Sequence, residues 1–390
     1  MAAWENWSGN VRCTPAHVVA AASEEEVVDA VRAAARDGLT LRPAGSRHSF
    51  TPLCATDGVA LDLHGLAGVE HIDGATGRVT VRGGTRLSAL GAPLRAAGLA
   101  LHNQGDVDTQ TITGAIGTGT HGTGPTLGNL STAVVGVRLV TADGDVLECS
   151  AAQRPDVYEA ARLSLGALGV ITAVTLQAVP AYNLHERIWF EAGERALDDL
   201  DARVAATRHY EFFWYPARDL CEHKALDATD AAPDALPDLK RERIDESWRV
   251  FPSARDLRFN EMEYSVPASS GPECFDEIRT LMLRDFPDVQ WPVEYRTLAA
   301  DDVWCSPAHG RPTVTISIHE DAARPYDMLF AACEGVFRRY DGRPHWGKVH
   351  AWIRADAAAT LPRFDDFRRV CAEVDPDGRF RNDHLHALLS

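Results

Sequence analysis

The stretch that decides the fold is Gly114-Ala-Ile-Gly-Thr-Gly-Thr-His-Gly-Thr-Gly124, which holds five glycines and three threonines in eleven residues. Glycine and threonine both disfavour a helix, and glycine also weakens a strand, so this density predicts a loop. Backbone N–H groups in such a segment can approach an anion closely, as in phosphate-binding nests. A glycine-rich surface loop is the alternative interpretation. The stretch is not a P-loop, because no Gly-Lys-Ser/Thr follows, and it is not a dinucleotide fingerprint opening a helix after the first strand.

A second informative segment is Arg42-Pro-Ala-Gly-Ser-Arg-His-Ser-Phe50, which lies where a predicted strand runs into a turn. A glycine at such a junction can bring the backbone close to a ligand. His48 within it is a candidate nucleophile, a candidate ligand or a hydrogen-bonded structural residue. The segment by itself leaves these three roles open.

The first half of the chain alternates short strands with helices, which predicts an α+β domain over residues 1–178. A helix is expected from the capping sequence Ser23-Glu24-Glu25-Glu26 to a stop near Gly38. The other elements expected there are strands at 39–45, 59–63 and 169–179, hairpins at 69–84 and 133–150, and a helix at 85–97.

The second half, residues 179–390, reads as an antiparallel sheet with helices on one face. Aromatic-rich strands are expected at 210–216, 258–267 and 313–319, and longer helices around 275–286 and 326–340. Residues 226–240, rich in Asp, Ala and Pro, are expected to form a surface loop.

Composition excludes several classes of function. Lys and Arg number 39 against 56 Asp and Glu, a formal charge of −17 that repels nucleic acid and anionic membranes. No apolar run approaches the roughly 20 residues that a membrane helix needs, and no secretory signal is recognisable. The eight scattered cysteines form no C-x-x-C pair, so neither a disulfide framework nor a zinc site is expected, and a reducing cytoplasm is the predicted compartment. No metal is expected, because no H-E-x-x-H motif occurs.

Four motifs in order carry a resemblance to a known family. PAGSRHSF (43–50), TGAIGTGTHGTG (113–124), SLGALGVIT (164–172) and HWGK (345–348) resemble the aldonolactone and alditol oxidases, such as L-gulono-1,4-lactone oxidase and D-arabinono-1,4-lactone oxidase. The resemblance runs from NWSGN (6–10) to DPDGRFRND (375–383). It implies the two-domain vanillyl-alcohol-oxidase fold: an FAD-binding domain over 1–178, and a substrate domain with an antiparallel sheet over 179–390 whose C-terminal segment returns to the flavin.

The resemblance also implies how FAD is held. The histidine of the family's first motif carries the flavin covalently through its 8α-methyl group, and it maps onto His48. The FAD pyrophosphate needs backbone donors without bulky side chains, which the two glycine-containing loops supply. The implied cofactor contacts besides His48 are Pro43, Ala44, Gly45, Ser46, Arg47, Ser49, Gly105, Asp106, Thr111, Gly114, Ala115, Gly117, Thr118, Thr120, His121, Gly122, Gly166, Gly169, Val170, Ile171, His345 and Lys348. His121 is expected to be structural or to contact phosphate.

The catalytic residues implied by the resemblance come from the second half of the chain. Glu294 and Arg296 alternate on a strand and therefore share one face. The family places both on substrate hydroxyls, and it places Lys348 over the reacting hydroxyl, so a lysine beside Arg296 would have a lowered pKa. A surface ion pair and a solvated loop are the alternatives. His319 and Asp106 are the next candidate bases.

Gly105-Asp106 departs from the Ala-Ser pair of the alditol oxidases, which favours a lactone or another polyol as the substrate. A small residue beside the flavin edge leaves a path for oxygen. The expected function is oxidation of a hydroxyl on a sugar-derived substrate, with hydride transfer to flavin N5 and reduction of oxygen to hydrogen peroxide. The alternatives are a dehydrogenase, a tailoring oxidase for an unusual sugar or amino sugar, and a scaffold with an empty nucleotide cleft.

Overall fold

A computed structural model describes residues 3–234, 241–253 and 257–390. Near the N-terminus, a three-stranded parallel sheet places Val59–Asp62 between His17–Ala20 and Leu41–Ala44. The helix Glu24–Arg36 packs beside it and begins where the Ser23 hydroxyl accepts a hydrogen bond from the Glu26 N–H. The Glu26 carboxylate accepts from the Ala22 N–H, one residue earlier than the predicted capping box requires.

Both predicted hairpins lie in one five-stranded antiparallel sheet. Its strand order is Val146–Cys149, Val134–Val140, Val170–Gln177, Arg78–Arg82 and Val69–Asp73. In the strand Arg78–Arg82, Val79 and Val81 are buried and the two arginines are exposed, as the alternation of valines with polar residues predicts.

An eight-stranded antiparallel sheet occupies the second half of the chain. Its strand order is Glu242–Glu246, Asn183–Ala192, Leu220–Thr229, His209–Tyr215, Val293–Leu298, Thr313–Asp321, Phe259–Pro267 and Arg343–Pro344. The helices Gly271–Asp285 and Asp327–Arg339 pack on its apolar face, where the Tyr264 ring stacks on Phe337 at 4.9 Å. The predicted fold class, mixed helices and antiparallel sheet, is therefore confirmed.

The remaining elements are short. They are the strands Trp4–Glu5, Arg12–Cys13, Leu99–Ala100 and Val179–Pro180, and the helices Gly91–Ala96, Ile112–Thr118, Pro155–Ala161, Leu200–Ala206, Ser247–Val250, Arg354–Thr360, Phe364–Val374 and Asp383–Leu389.

The prediction that the glycine-rich stretch is all loop is wrong. Its first half belongs to the helix Ile112–Thr118, which ends at Gly119 with φ +81°. The buried side chains of Ile112 and Ile116 pack into the core, and this packing outweighs the poor helix propensity of glycine. The segment after Gly119 is the loop that the composition predicts.

Two other boundaries differ from the prediction. The helix expected at 85–97 is confined to Gly91–Ala96, preceded by one 3₁₀ turn, because Thr85 and Leu87 hydrogen-bond to the backbone at 110–112 instead. The loop expected from 226 begins later, because Leu220–Thr229 is a strand paired on both sides. Residues 235–240 of that loop lie outside the described residues.

The C-terminal half returns to the first. The Leu41 N–H donates to the Arg379 carbonyl at 2.8 Å, and the Phe50 N–H donates to the Gly347 carbonyl at 2.7 Å. Strands up to Pro180 belong to the smaller sheets and strands from Asn183 onward to the eight-stranded sheet, while the boundary at residue 178 stays a prediction. Within the described ranges, no helix has the length and apolar character needed to cross a membrane.

Candidate active site

A backbone cradle forms where the strand Leu41–Ala44 ends. Among the described residues, the N–H groups of Gly45, Ser46, Arg47, His48 and Ser49 have no hydrogen-bond acceptor. All five residues line a cleft, and consecutive backbone donors of this kind can form the positive concavity that binds phosphate oxygens. The same segment holds Arg47 at φ +59°, a conformation that few non-glycine residues adopt.

Gly45 is required by close packing in this cradle. A Cβ atom at Gly45 would lie 2.0 Å from the Thr111 hydroxyl oxygen. That oxygen is buried and has no hydrogen-bond partner within the described part of the chain, and the same holds for Oε1 of Gln110. Both side chains line the cleft beside the cradle, so the cleft offers polar groups that a ligand can satisfy.

The cleft extends from the cradle as a narrow arm with a volume of about 80 Å³. Arg42 lies almost fully buried beneath this arm. Its guanidinium donates hydrogen bonds to the carbonyls of Leu53 (2.7 Å), Leu165 (2.8 Å), Gly166 (2.6 Å) and Phe380. The Arg42 guanidinium therefore links three separate backbone segments next to the arm, at residues 53, 165–166 and 380.

His48 stands at the wide end of the cleft, beside an open cavity of about 550 Å³. Its Nε2 shares a hydrogen bond of 2.7 Å with the Thr109 hydroxyl, and its ring lies 5.0 Å from the Trp7 ring. Burial, together with the charges of Lys348 and Arg86, lowers the pKa of His48 to about 4. His48 is therefore a neutral imidazole at pH 7, and Nε2 is the ring nitrogen that contacts Thr109.

A smaller cavity of about 70 Å³ adjoins this cleft, sharing Gln110, His345 and Lys348 with it. On the strand Val293–Leu298, Glu294 and Arg296 point to the same side, with Arg296 Nη2 3.3 Å from Glu294 Oε2. Burial raises the pKa of Glu294 to about 8, although Arg296 acts in the opposite direction. The predicted pair is thus a buried pair in a cavity and not a surface salt bridge.

Glu263 is the centre of the network around this cavity, although sequence analysis did not select it. Its side chain is 1 % exposed and contacts Arg296 Nη2 at 2.5 Å, His121 Nε2 at 2.7 Å and the Ser317 hydroxyl at 2.8 Å. The charges of His121 and Arg296 keep the pKa of Glu263 well below its usual range against the effect of burial. Glu263 is therefore an ionised carboxylate, and its contact holds the Arg296 guanidinium in position.

Lys348 is held by a second buried carboxylate. Its Nζ forms an ion pair with Glu261, which lies two residues before Glu263 on the strand Phe259–Pro267. His319 Nε2 is 3.6 Å from the other oxygen of Glu261, and His319 Nδ1 donates to the Pro292 carbonyl at 2.8 Å. The sequence argument placed Lys348 against Arg296, whereas the structure gives Lys348 the Glu261 carboxylate as its direct partner.

Asp106 is anchored at the edge of the cavity. Its carbonyl accepts from the Ser253 N–H at 3.0 Å, and its carboxylate is 3.4 Å from Lys224 Nζ. Lys224 in turn pairs with Glu211 at 2.9 Å, behind the cavity wall. Lys224 and Glu211, like Glu261 and Glu263, were not expected from the sequence.

Most of the predicted residues line these connected cavities, but some do not contact them. Ala44, Ala115 and Val170 are buried packing residues. Gly122 is required because a Cβ there would lie 2.3 Å from the Gln104 carbonyl oxygen. His121 and Thr120 line the small cavity and not the narrow arm.

Two more predicted residues close the small cavity. His345 is a neutral imidazole there, because burial lowers its pKa to about 3. Gly105 lines the cavity at a point where a Cβ would lie 2.8 Å from the His121 carbonyl oxygen.

The missed carboxylates had a recognisable signal. In the strand Phe259–Pro267, Glu261 and Glu263 alternate with Met262 and Tyr264, which face the core. Two glutamates on one face of a strand whose other face is apolar indicate a polar interior. The alternation does not reveal which cations meet them, since those come from strands far away in the sequence.

Comparisons with known proteins agree with this geometry. A family model described as D-arabinono-1,4-lactone oxidase matches residues 174–240 and 235–388, and one described as FAD binding domain matches residues 15–150. The chain belongs to the D-arabinono-1,4-lactone oxidase family. The family resemblance noted from the four motifs is therefore confirmed.

Individual relatives extend over the whole chain. The L-gulono-1,4-lactone dehydrogenase of Mycobacterium tuberculosis is 38% identical over 99% of this chain and 99% of its own. The L-gulonolactone oxidase of Mus musculus is 30% identical over 99% and 98%. The crystal structure of cholesterol oxidase from Brevibacterium sterolicum has a TM-score of 0.84 at 18% identity over 100% of this chain and 96% of that one, a similarity of fold.

The residues present fit FAD, the cofactor of the matched binding domain. The unsatisfied N–H groups of residues 45–49 suit a pyrophosphate, and the partnerless oxygens of Gln110 and Thr111 face the same cleft. Pro43, Gly114, Gly117, Thr118, Gly166, Gly169 and Ile171 line the narrow arm where the rest of the nucleotide would lie. His48 stands at the end where a flavin ring would lie.

Proposed function

We propose that this protein is an FAD-dependent oxidoreductase that oxidises a hydroxyl group of a sugar-derived substrate, either an aldonolactone or another polyol. The observation that carries the proposal is the adjacency of two cavities: the anion cradle with His48, and the small buried cavity lined by Glu294, Arg296 and Lys348. A substrate in the small cavity would lie against the flavin end of the cleft. The names of the relatives support the substrate class.

FAD, when bound, supplies the acceptor for the hydride that leaves the carbinol carbon. The residues of this chain handle the hydroxyl oxygen and its proton. Arg296 and Lys348 are cations held in place by Glu263 and Glu261, and they stabilise negative charge that develops on the oxygen. Glu294 has a buried oxygen without a hydrogen-bond partner among the described residues, and it binds a neighbouring substrate group.

His319 is the residue that we assign as the proton acceptor. An ion-paired ammonium has no lone pair, so Lys348 acts as a stabilising charge. His319 donates through Nδ1 to the Pro292 carbonyl, which leaves the lone pair on Nε2. Glu261, 3.6 Å from this nitrogen, then stabilises the imidazolium that forms. The substrate hydroxyl thus gives its proton to His319.

The covalent link between flavin and His48 belongs to the same proposal. In this proposal Nε2 of His48 donates its proton to the Thr109 hydroxyl, so the lone pair lies on Nδ1, the nitrogen that would bond to the flavin 8α-carbon. The low pKa of His48 keeps the ring neutral at pH 7.

The central experiment is anaerobic flavin reduction by L-gulono-1,4-lactone and by xylitol, followed at the flavin absorbance band. Lys348→Met should lower the reduction rate at least about tenfold, or 1.4 kcal/mol of barrier, while Lys348→Arg, which keeps the charge, should lose less. His319→Gln, which removes the proposed proton acceptor, should lower the reduction rate about a hundredfold or more. Flavin that neither compound reduces would refute the proposed function, and a native rate in Lys348→Met would remove Lys348 from the chemistry.

We further propose that oxygen is the electron acceptor. The second candidate is a dehydrogenase, which would pass its electrons to a separate carrier. The relatives include both an oxidase and a dehydrogenase. The His121 carbonyl oxygen lies so near Gly105 that packing alone accounts for a glycine there, without any role in the access of molecular oxygen. Gly105→Ala is therefore a milder probe than a larger substitution. Slower reoxidation by oxygen with unchanged reduction of a dye would support the oxygen path, and equal slowing of both would contradict it.

The proposed site of action is a reducing cytoplasm. The eight cysteines are free thiols in the structure, and six of them are buried. Cell fractionation of the producing organism with an antibody against the chain would test this assignment, since recovery in a culture supernatant would exclude it.

A further inference from the structure

The small cavity is rich in carboxyl groups. Its lining contains Asp106, Glu261, Glu263 and Glu294, of which Glu263 contacts both Arg296 and His121, and Glu261 contacts Lys348. His345 on the same wall is neutral because burial lowers its pKa to about 3.

The layer behind the wall adds no net charge to the cavity. There Lys224 and Glu211 form a pair of opposite charges at 2.9 Å, and Lys224 also reaches Asp106 at 3.4 Å. Glu294 is therefore the carboxyl group of the lining for which neither layer supplies a close cation of its own.

Glu294 is the carboxylate whose bonding is incomplete. Its side chain is 6 % exposed, one oxygen faces Arg296 at 3.3 Å, and the other has no hydrogen-bond partner within the described residues. Glu261 and Glu263 each contact a cation directly. Glu294 therefore has a buried oxygen that can accept a hydrogen bond from a ligand.

The spacing around Glu294 suits a small cation. One oxygen of Asp106 and one of Glu294 lie within 4.8 Å of each other, and both residues line the cavity. An ammonium nitrogen contacts carboxylate oxygens at about 2.8 Å, so a single ammonium bridges two oxygens that are this far apart. The raised pKa of Glu294, about 8, is consistent with this, because burial beside Asp106 and Glu211 favours a proton or another cation there.

We propose that the substrate carries a protonated amino group besides the hydroxyl that is oxidised, and that this ammonium lies between Glu294 and Asp106. The inference rests on the proposed function, which it narrows to amine-bearing polyols or sugars. The ammonium is bound and not oxidised. The same carboxyl groups disfavour sugar acids and sugar phosphates, whose anionic groups would lie against Glu294 and Asp106.

Three probes with one carbon skeleton test the proposal on the holoenzyme: D-sorbitol, which is neutral; 1-amino-1-deoxy-D-sorbitol, which is a cation at pH 7.5; and D-gluconate, which is an anion. Anaerobic flavin reduction should give a kcat/KM at least tenfold higher for the amine than for sorbitol, and at least tenfold lower for gluconate. Asp106→Asn should reduce the amine-to-sorbitol ratio at least fivefold. Glu373→Gln, which removes an exposed carboxylate, should leave that ratio unchanged.

The outcomes separate this inference from the proposed function. If sorbitol reduces the flavin and the amine is no better, the amine site is refuted and the proposed function stands. If no probe, lactone or polyol reduces the flavin, the proposed function itself fails. If the amine-to-sorbitol ratio falls as much in Glu373→Gln as in Asp106→Asn, the preference for the amine comes from the overall charge of the protein. That result would overturn the proposed local site.

A second measurement uses only the wild-type protein, so it does not depend on whether a variant folds. Calorimetric titration of the wild-type holoenzyme with the amine, in two buffers of different ionisation enthalpy at pH 7, should show net proton release as Glu294 ionises. Binding without proton release would contradict the role of Glu294. Competition by calcium chloride together with no amine preference would assign the cavity to a metal cation and overturn the proposal.

Discussion

Replacing Glu263 with glutamine tests whether the buried network holds the site together. The change keeps the shape of the side chain but removes a charge that is 1 % exposed and that contacts both Arg296 and His121. Arg296 is then left with Glu294, whose raised pKa disfavours the carboxylate. Removing one partner of a buried ion pair costs about 3–5 kcal/mol of unfolding free energy. The matched control Glu373→Gln breaks an exposed pair with Arg369, and such pairs contribute at most about 1 kcal/mol.

Urea unfolding of the two holoenzyme variants at pH 7 measures this difference. The sign of the pH dependence is also fixed. Because the pKa of Glu263 is lowered in the folded protein, its contribution is present above the ordinary carboxyl pKa of about 4.3 and is lost as the pH falls further. The reasoning is refuted if Glu263→Gln is within about 1 kcal/mol of Glu373→Gln at pH 7, or if the gap between Glu263→Gln and the wild type widens in acid.

Three further predictions concern the cofactor cleft and the small cavity. Intact-mass analysis should find the flavin mass on the wild-type chain and lose it in His48→Ala, and a wild-type peptide without that mass would exclude the covalent link. Gly45→Ala should lower FAD retention after gel filtration at least about tenfold, because the new Cβ would collide with Thr111, whereas Gly335→Ala, with no atom within 4 Å of its Cβ, should retain FAD normally. The raised pKa of Glu294 means that its contribution to stability is full below the ordinary carboxyl pKa and is lost as the pH rises through about 8. The unfolding midpoint of the wild type should therefore fall relative to Glu294→Gln between pH 5 and pH 9, and parallel curves would contradict this.

Local patterns predicted the fold class and the cofactor cleft. Glycines next to a strand end, the capped helix after Ser23 and the alternating valines of the hairpins act over a few residues, so they can be identified without the fold. The glycine-rich stretch shows the limit of such patterns. Its composition indicates a loop, but Ile112 and Ile116 are buried and impose a helix.

The sequence by itself determined the family, through four motifs in order, and placed Glu294 and Arg296 on one face of a strand because side chains alternate along a strand. It also determined that His48 follows a strand end. These properties depend on neighbours in the chain, so the chain order is enough to establish them.

Only the tertiary structure decided which charges meet. Lys348 pairs with Glu261, Arg296 with Glu263, and Asp106 with Lys224, over separations of 87, 33 and 118 residues. Arg296 meets Glu263 through the order of the strands in the sheet, whereas Lys348 and Asp106 reach their partners from loops, and local patterns specify neither. Burial then sets the ionisation of each group, since the same carboxyl chemistry gives Glu263 a lowered pKa and Glu294 a raised one. The physical reason is that desolvation and ion pairing depend on what surrounds a side chain in three dimensions.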